Sequence, residues 1–269
     1  MKVLLTGSNG NLGKLISSTL RKYQIEVVEA SSKPKKMQRF FNLDFYPSQE
    51  LLSGIDLVIH CARGSNSKHL ENDSAFLKIC KANNCSLIYI GSISTNLLNS
   101  NQYGEYKKEI ENIVITYQGT VITCGLIYGE NFYGQISKLK RFLRRLPVNL
   151  RLSGTNKQYL TPTQGLLSEL MFQIRDQQRA SRIFIAHQTP VDFNDLLYKL
   201  GRNKLFTLTV SKKMALLIVK VTKFKINYFN SDSILGIYSD YQRDFILQYI
   251  DKSNQIDGKY SREYLSLYK

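Results

Sequence analysis

Thr6-Gly7-Ser8-Asn9-Gly10-Asn11-Leu12-Gly13 is the stretch that decides how this chain is read. Before it, Met1-Lys2-Val3-Leu4-Leu5 has the composition of a short buried strand. After it, Leu12, Ile16, Leu20 and Tyr23 recur at helical spacing. A glycine turn between a strand and a helix N-terminus makes a phosphate cradle. Backbone N–H groups point outward, no Cβ blocks close approach, and the helix dipole favours an anion. Gly7, Ser8, Asn9, Gly10, Asn11, Leu12 and Gly13 are therefore expected against the phosphates of a dinucleotide.

The 269 residues allow one large domain or a domain with an appended lobe, and 43% hydrophobic residues can fill a sizeable core. Cys61, Cys80, Cys85 and Cys124 form no C-x-x-C pair and read as reduced, buried thiols. The N-terminus runs straight into a core strand, so no signal peptide is expected. The longest purely apolar run, Met214 to Val219, is too short to span a bilayer. The expected compartment is the cytoplasm. His60, His69 and His187 lack ligand spacing, so no metal is expected.

A net charge of +16 is concentrated in two acid-free stretches, residues 131–168 and 202–225. Such fields attract polyanions, diphosphate-bearing substrates or an anionic membrane surface. No recognition motif for nucleic acid accompanies them, so nucleic acid is not expected as a partner.

Strand-like runs at Val3–Thr6, Glu26–Ala30, Arg39–Leu43, Asp56–Cys61, Ser86–Gly91 and Thr120–Cys124 alternate with helical patterns near 12–23, 70–83 and 102–117. Alternation of this kind means βαβ units and an α/β fold with a doubly wound, mostly parallel, Rossmann-like sheet. Ligands bind such sheets at the carboxyl ends of the strands. Residues 1–130 are expected to form the dinucleotide-binding domain. Residues 131–269 are expected to form a smaller C-terminal substrate-binding lobe, interleaved with the last sheet strands and including a strand at Arg182–Ala186. The polar stretch from Lys252 reads as a surface appendage.

Tyr103 and Lys107 are one helical turn apart and share a face. Of seventeen tyrosines, Tyr103 alone has a lysine four residues later. The preceding strand ends in Ser92 and Ser94. A free phenol ionises near pH ~10, so a tyrosine that takes a proton near neutrality needs a cation to favour its phenolate. With Lys107 as that cation and a serine to hold the substrate oxygen, the set can move a hydroxyl proton while hydride leaves the carbon.

These stretches together resemble the extended short-chain dehydrogenase/reductases of the NAD-dependent epimerase/dehydratase group. The opening turn matches T-G-x-x-G-x-x-G, and Tyr103 through Glu111 matches Y-G-x-x-K-x-x-x-E. Asp44 resembles the acid that contacts adenine, and Ile59-His60-Cys61-Ala62 resembles the segment backing the cofactor ribose. Ile90-Gly91-Ser92-Ile93-Ser94 resembles the strand end with the catalytic hydroxyl. Gly125-Leu126-Ile127-Tyr128-Gly129 resembles a G-x-x-Y-G turn. The resemblance implies Ser92, Tyr103 and Lys107 as catalytic residues, with Ser94 as the alternative hydroxyl. It places Asp44, Cys61, Ala62 and Lys107 on the cofactor.

Three departures bear on substrate and cofactor. Where an acid usually ends the second strand, this chain has Ser31, followed by Ser32 and Lys33. Hydroxyls and a cation suit a 2′-phosphate, so NADP is expected, with NAD as the alternative should Glu29 take the acid's place. Thr123-Cys124 stands where an arginine is common, and Thr163-Gln164-Gly165 where an aspartate is usual. Ile93-Ser94 offers no acid for β-elimination, which disfavours dehydration.

The expected reaction is hydride transfer at a carbinol or ketone carbon of a nucleotide- or diphosphate-linked sugar, by an epimerase or a reductase, in surface-polysaccharide synthesis. A homodimer is compatible with this reading. The alternative is a non-catalytic or membrane-docked dinucleotide-binding protein, with the basic apolar segment Ser211 to Phe229 lying on an anionic membrane.

Overall fold

A computed structural model describes residues 1–64, 66–97, 102–129, 134–175, 181–187, 189–201, 204–221 and 236–241. The expected appendage from Lys252 and the part of the Ser211–Phe229 segment beyond 221 lie outside them. In chain order the first half contains β1 (Lys2–Thr6), α1 (Asn11–Lys22), β2 (Glu26–Ser31), β3 (Arg39–Phe40), β4 (Leu57–His60), α2 (Ser67–Ala82), β5 (Ser86–Ser92), α3 (Gln102–Thr116) and β6 (Thr120–Cys124). The second half contains β7 (Leu126–Tyr128), α4 (Gln135–Arg145), β8 (Asn149–Leu152), β9 (Leu160–Pro162), α5 (Thr163–Arg175), β10 (Arg182–Ile185), α6 (Phe193–Gly201), β11 (Thr207–Val210) and α7 (Lys212–Val221).

Seven strands form one sheet in the order β10-β6-β5-β4-β1-β2-β3. The chain starts at β1, winds outward through β2 and β3, then returns through β4 on the other side. That reversal makes the carboxyl ends of β1 and β4 the topological switch point. The β1–β2, β1–β4, β2–β3 and β4–β5 pairings are all parallel. This is the doubly wound α/β architecture expected from the alternation.

The third strand is shorter than the expected Arg39–Leu43. Phe41 N–H still reaches the Ser31 carbonyl. The Asn42 side chain then accepts from Asp44 N–H and its carbonyl from Phe45 N–H, turning the backbone out of the ladder. Helix α2 begins earlier than expected because the Asn66 side chain caps it, accepting from His69 N–H at 2.8 Å.

The chain divides into two compact units. The first comprises Met1–Ser92, Gln102–Thr123 and Leu167–Phe184; the second comprises Ile93–Asn101, Cys124–Leu166 and Ile185–Lys269. The second unit contains two small sheets absent from the sequence expectation, β7 with β9 and β8 with β11, both parallel. Its core packs Tyr128, Leu139, Leu143, Phe193, Leu196 and Leu200.

Within the apolar core of the first unit runs a buried polar chain. Cys61 N–H donates to Thr6 Oγ1 at 3.2 Å, and Thr6 Oγ1 lies 2.7 Å from His60 Nδ1. His60 Nε2 faces Asp73 Oδ1 at 2.7 Å, and the Tyr106 hydroxyl donates to the other Asp73 oxygen. His60, Asp73 and Thr6 are fully buried. The rings of Tyr89 and Phe76 flank the imidazole at 5.5 Å. The chain ties the ends of β1 and β4 to helices α2 and α3. Asp73→Ala would strand His60 and Tyr106 without their acceptor. It should cost about 3 kcal/mol in urea unfolding followed by circular dichroism, with Asp73→Asn intermediate.

Candidate active site

The glycine turn is built by close contacts that leave no room for side chains. Gly7 has φ +67, and a Cβ there would lie 2.9 Å from the Ala62 nitrogen at the end of β4. A Cβ on Gly13 would lie 2.3 Å from the Gly7 carbonyl oxygen, so α1 can seat against the turn only with glycine there. Gly10 is the N-cap of α1, and no side-chain hydrogen bond caps the helix. A helix start presented this way, with glycines on its approach, suits a diphosphate. Ser8 faces inward, its N–H and Oγ both donating to the Ala30 carbonyl.

Asn9 joins the turn to the end of β2. Its amide nitrogen donates to Ser31 Oγ at 2.6 Å and to the Lys33 carbonyl at 2.8 Å. Ser31 is buried and also accepts from Lys33 N–H, whereas Ser32 and Lys33 are exposed. Glu29 lies two residues earlier on the same face of β2 but is committed elsewhere. It accepts from Ser17 Oγ and Gln38 Nε2 and pairs with Arg21 at 2.9 Å. Burial works to raise the Glu29 carboxyl, yet the bonds from Ser17 and Gln38 and the Arg21 charge carry it below its ordinary value. Asp44 makes its contacts on α2: His69 Nε2 lies 2.8 Å away and holds the exposed carboxyl below the usual range.

Helix α3 is fastened to the end of β5 by side chains on successive turns. The buried Lys107 ammonium donates to the Ile90 carbonyl at 3.1 Å and lies 4.3 Å from the centroid of the Tyr89 ring. Glu111, fully buried, accepts from Ser92 N–H at 3.2 Å and pairs through its other oxygen with Arg182 of β10, also at 3.2 Å. A Cβ on Gly91 would lie 2.4 Å from Glu111 Oε1, so glycine lets that carboxylate reach the strand. These bonds seat α3, with Tyr103 one turn before Lys107, beside the strand end that carries Ser92. Ser94, the alternative hydroxyl, falls in the second unit.

Arg63 was not foreseen from the sequence. It follows Cys61-Ala62 and places its guanidinium 4.5 Å from the centroid of the Tyr103 ring. Next to it, a Cβ on Gly64 would lie 2.2 Å from the Tyr106 hydroxyl, so glycine permits that packing. The Cys61 thiol is pushed up to about 12 by burial, against the pull of the nearby Lys107 ammonium.

In the second unit, Tyr128 of the G-x-x-Y-G stretch is buried with its hydroxyl 2.5 Å from His187 Nε2, the two rings stacked. Thr161 Oγ1 accepts from Gly125 N–H at 2.8 Å and donates to the Ile185 carbonyl. Among the described residues no group of three His, Cys, Asp or Glu is placed to hold a metal. No helix among them is long and apolar enough to cross a membrane.

No family model and no curated protein matches the sequence. Solved structures do match the fold. The MoeE5 protein in complex with UDP-glucose and NAD has a TM-score of 0.63 at 18% identity, over 95% of this chain and 99% of that one. UDP-N-acetylglucosamine 4-epimerase from Bacillus cereus has a TM-score of 0.61 at 16% identity, over 78% of this chain and 85% of that one. The dTDP-4-dehydrorhamnose reductase from Bacillus anthracis, in complex with NADP, has a TM-score of 0.62 at 15% identity, over 79% and 85%. The chain has the Rossmann-like fold of these structures.

Adding one methyl at the turn tests the packing directly. Gly13→Ala must push α1 off the Gly7 carbonyl, an overpacking cost of roughly 1–3 kcal/mol. The expected result is a thermal midpoint lowered by several degrees, read by circular dichroism.

Proposed function

We propose that this chain is a nicotinamide-dinucleotide-dependent enzyme that moves hydride at a carbinol or ketone carbon of a nucleotide- or diphosphate-linked sugar, as an epimerase or a reductase. The observation that supports this reading is that Lys107 and Glu111 fasten α3, which carries Tyr103 one turn before Lys107, to the β5 end that carries Ser92, one strand from the glycine turn between β1 and α1. The likeness to nucleotide-sugar enzymes supports the substrate class, and surface-polysaccharide synthesis in the cytoplasm remains the proposed setting.

The cradle residues Gly7, Gly10 and Gly13 would take the diphosphate at the start of α1, and Cys61-Ala62 would back the adjoining ribose. Nicotinamide, when bound, accepts or returns the hydride. As the phenolate, Tyr103 would take the carbinol proton as the hydride leaves, and as the resulting phenol it would give the proton back to the ketone oxygen in the reverse direction. The Ser92 hydroxyl hydrogen-bonds that same substrate oxygen and fixes its direction. Lys107 supplies a buried positive charge one turn from Tyr103, and Arg63 a second cation on the Tyr103 ring. Both fit a residue whose charge becomes more negative as it gives up its proton.

For the cofactor, NADP is the proposed partner and NAD the alternative. Ser31, Ser32 and Lys33 end β2 without a carboxylate, and the nearest acid on that face, Glu29, is held by Ser17, Gln38 and Arg21. That arrangement puts hydroxyls and a cation, not a carboxylate, at the end of the strand.

Tyr103→Phe should lower kcat by at least about a thousandfold while leaving dinucleotide affinity within a few-fold, measured by turnover and calorimetric titration. Turnover at the parent rate would end the assignment of Tyr103. Ser31→Asp should weaken NADPH binding and strengthen NADH binding, inverting the preference by roughly tenfold or more. Unchanged preference in that variant would show that the end of β2 does not select the cofactor.

A further inference from the structure

The second unit exposes an apolar edge that its own core does not use. Leu205 is 97% exposed, Phe206 72%, Leu208 52%, Met214 51% and Leu217 59%. Scattered exposed apolar side chains are ordinary, but five large ones fall here within thirteen residues. They fall on β11, the loop before it and the first turns of α7, contiguous in the chain. Strand β11 is registered only against β8, and Thr207, Leu208 and Thr209 are all exposed. On α7, Ala215 turns into the core, while Lys213, Met214 and Leu217 share the exposed face at i, i+1 and i+4.

Cations lie close to these side chains in the chain. Lys212 and Lys213 begin α7, with the Lys212 ammonium 5.4 Å from the centroid of the Tyr238 ring, and Arg151 on β8 pairs with Thr209 on the strand face opposite Leu208. The Lys204 ammonium donates to the carbonyls of Leu143, Leu146 and Val148, closing the end of α4. That tie sets the exposed Arg144 and Arg145 near the start of the Leu205–Phe206 loop. The sequence has no acid from 202 to 225 or from 131 to 168. Among the described residues of the unit, the acids are Asp192, Asp195 and Asp240.

We propose that this β11–α7 edge docks the protein on an anionic phospholipid bilayer. Apolar tips rimmed by cations match the two layers of such a surface, acyl chains below and negative headgroups above. A second copy fits less well, because a two-fold interface on this edge would bring two sets of cations together in a stretch of sequence that has no acid. Nucleic acid would use the cations but leave Leu205, Leu208, Met214 and Leu217 unpartnered. The contact is peripheral, since no helix among the described residues can cross the bilayer. The basic apolar composition continues in the sequence through Lys220, Lys223, Phe224, Lys225 and Ile226.

The test is sedimentation of the full chain with phosphatidylcholine vesicles, with and without about one-third phosphatidylglycerol, at low salt and at about 0.5 M salt. The chain should sediment with the anionic vesicles at low salt, stay in solution with phosphatidylcholine alone, and be largely released by salt. Lys212→Glu/Lys213→Glu and, separately, Phe206→Ser/Leu208→Ser should each weaken binding by about tenfold or more, with unchanged circular dichroism. These are surface positions outside the proposed active site, so turnover in solution should stay at the parent level. No sedimentation with anionic vesicles overturns the proposal. So does parent-level binding by either variant; loss in the lysine variant alone would mean charge adhesion without insertion. Self-association abolished by Phe206→Ser/Leu208→Ser, without vesicle binding, would assign the edge to a second copy instead.

Discussion

The approach of Gly7 to the end of β4 is the contact on which the rest of the first unit depends. At φ +67 and with its Cβ position 2.9 Å from the Ala62 nitrogen, this residue brings the first turn against the start of the next loop. Only then can Cys61-Ala62 wall the cradle, and only then does Arg63 extend to the Tyr103 ring. The contact is held from below: Thr6, the last residue of β1, receives the Cys61 N–H and faces His60, which faces Asp73. One buried polar chain therefore links the glycine turn, proposed as a phosphate cradle, to α3, the helix that carries the proposed proton-transfer tyrosine. The close-packed interior makes that link stiff, because moving either strand end would break contacts on both sides.

Much of this unit could be read from residue order alone, and the reason is periodicity. Glycine spacing between a strand and a helix, a lysine one turn after a tyrosine, and alternating strands and helices are local patterns with a fixed geometric meaning. Thr6 to Gly13 and Tyr103 to Lys107 fall in that class. The shortening of β3 depended on Asn42 bonding back to the chain, a competition between side chain and ladder that a run of apolar residues hides. The Arg63–Tyr103 contact and the Glu111–Arg182 pair join residues 40 and 71 positions apart and leave no spacing signal. Asp73 did leave one: it lies on the same face of α2 as Phe76, Leu77 and Cys80. An acid in an apolar stripe requires a buried partner.

Helix α3 shows how positioning and chemistry share one face. Lys107 holds the Ile90 carbonyl and Glu111 holds the Ser92 N–H, so the strand end and the helix cannot slide past one another. Glu111 also reaches Arg182 on β10, tying this register to the far edge strand. A buried carboxylate with a guanidinium partner is costly to assemble but directional once formed. Here its direction points along the strand that presents Ser92.

The second unit is organised on a different electrostatic principle, which is why its role was harder to read. Its buried polar groups are neutral or weakly basic: Thr161 between two backbone groups, and Tyr128 against His187. Thr163, which begins one of the departures from the resembled pattern, is buried, and no carboxylate enters this core among the described residues. Its strong charges, Arg144, Arg145, Arg151, Lys212 and Lys213, are all at the surface. Buried ion pairs specify geometry because each partner needs the other in one place. Surface cations act at a distance, raising the encounter rate with anionic partners without fixing a pose. The first unit therefore encodes its chemistry in paired charges that can be traced residue by residue. The second carries its charge as surface cations, a property that follows from composition rather than from any single motif.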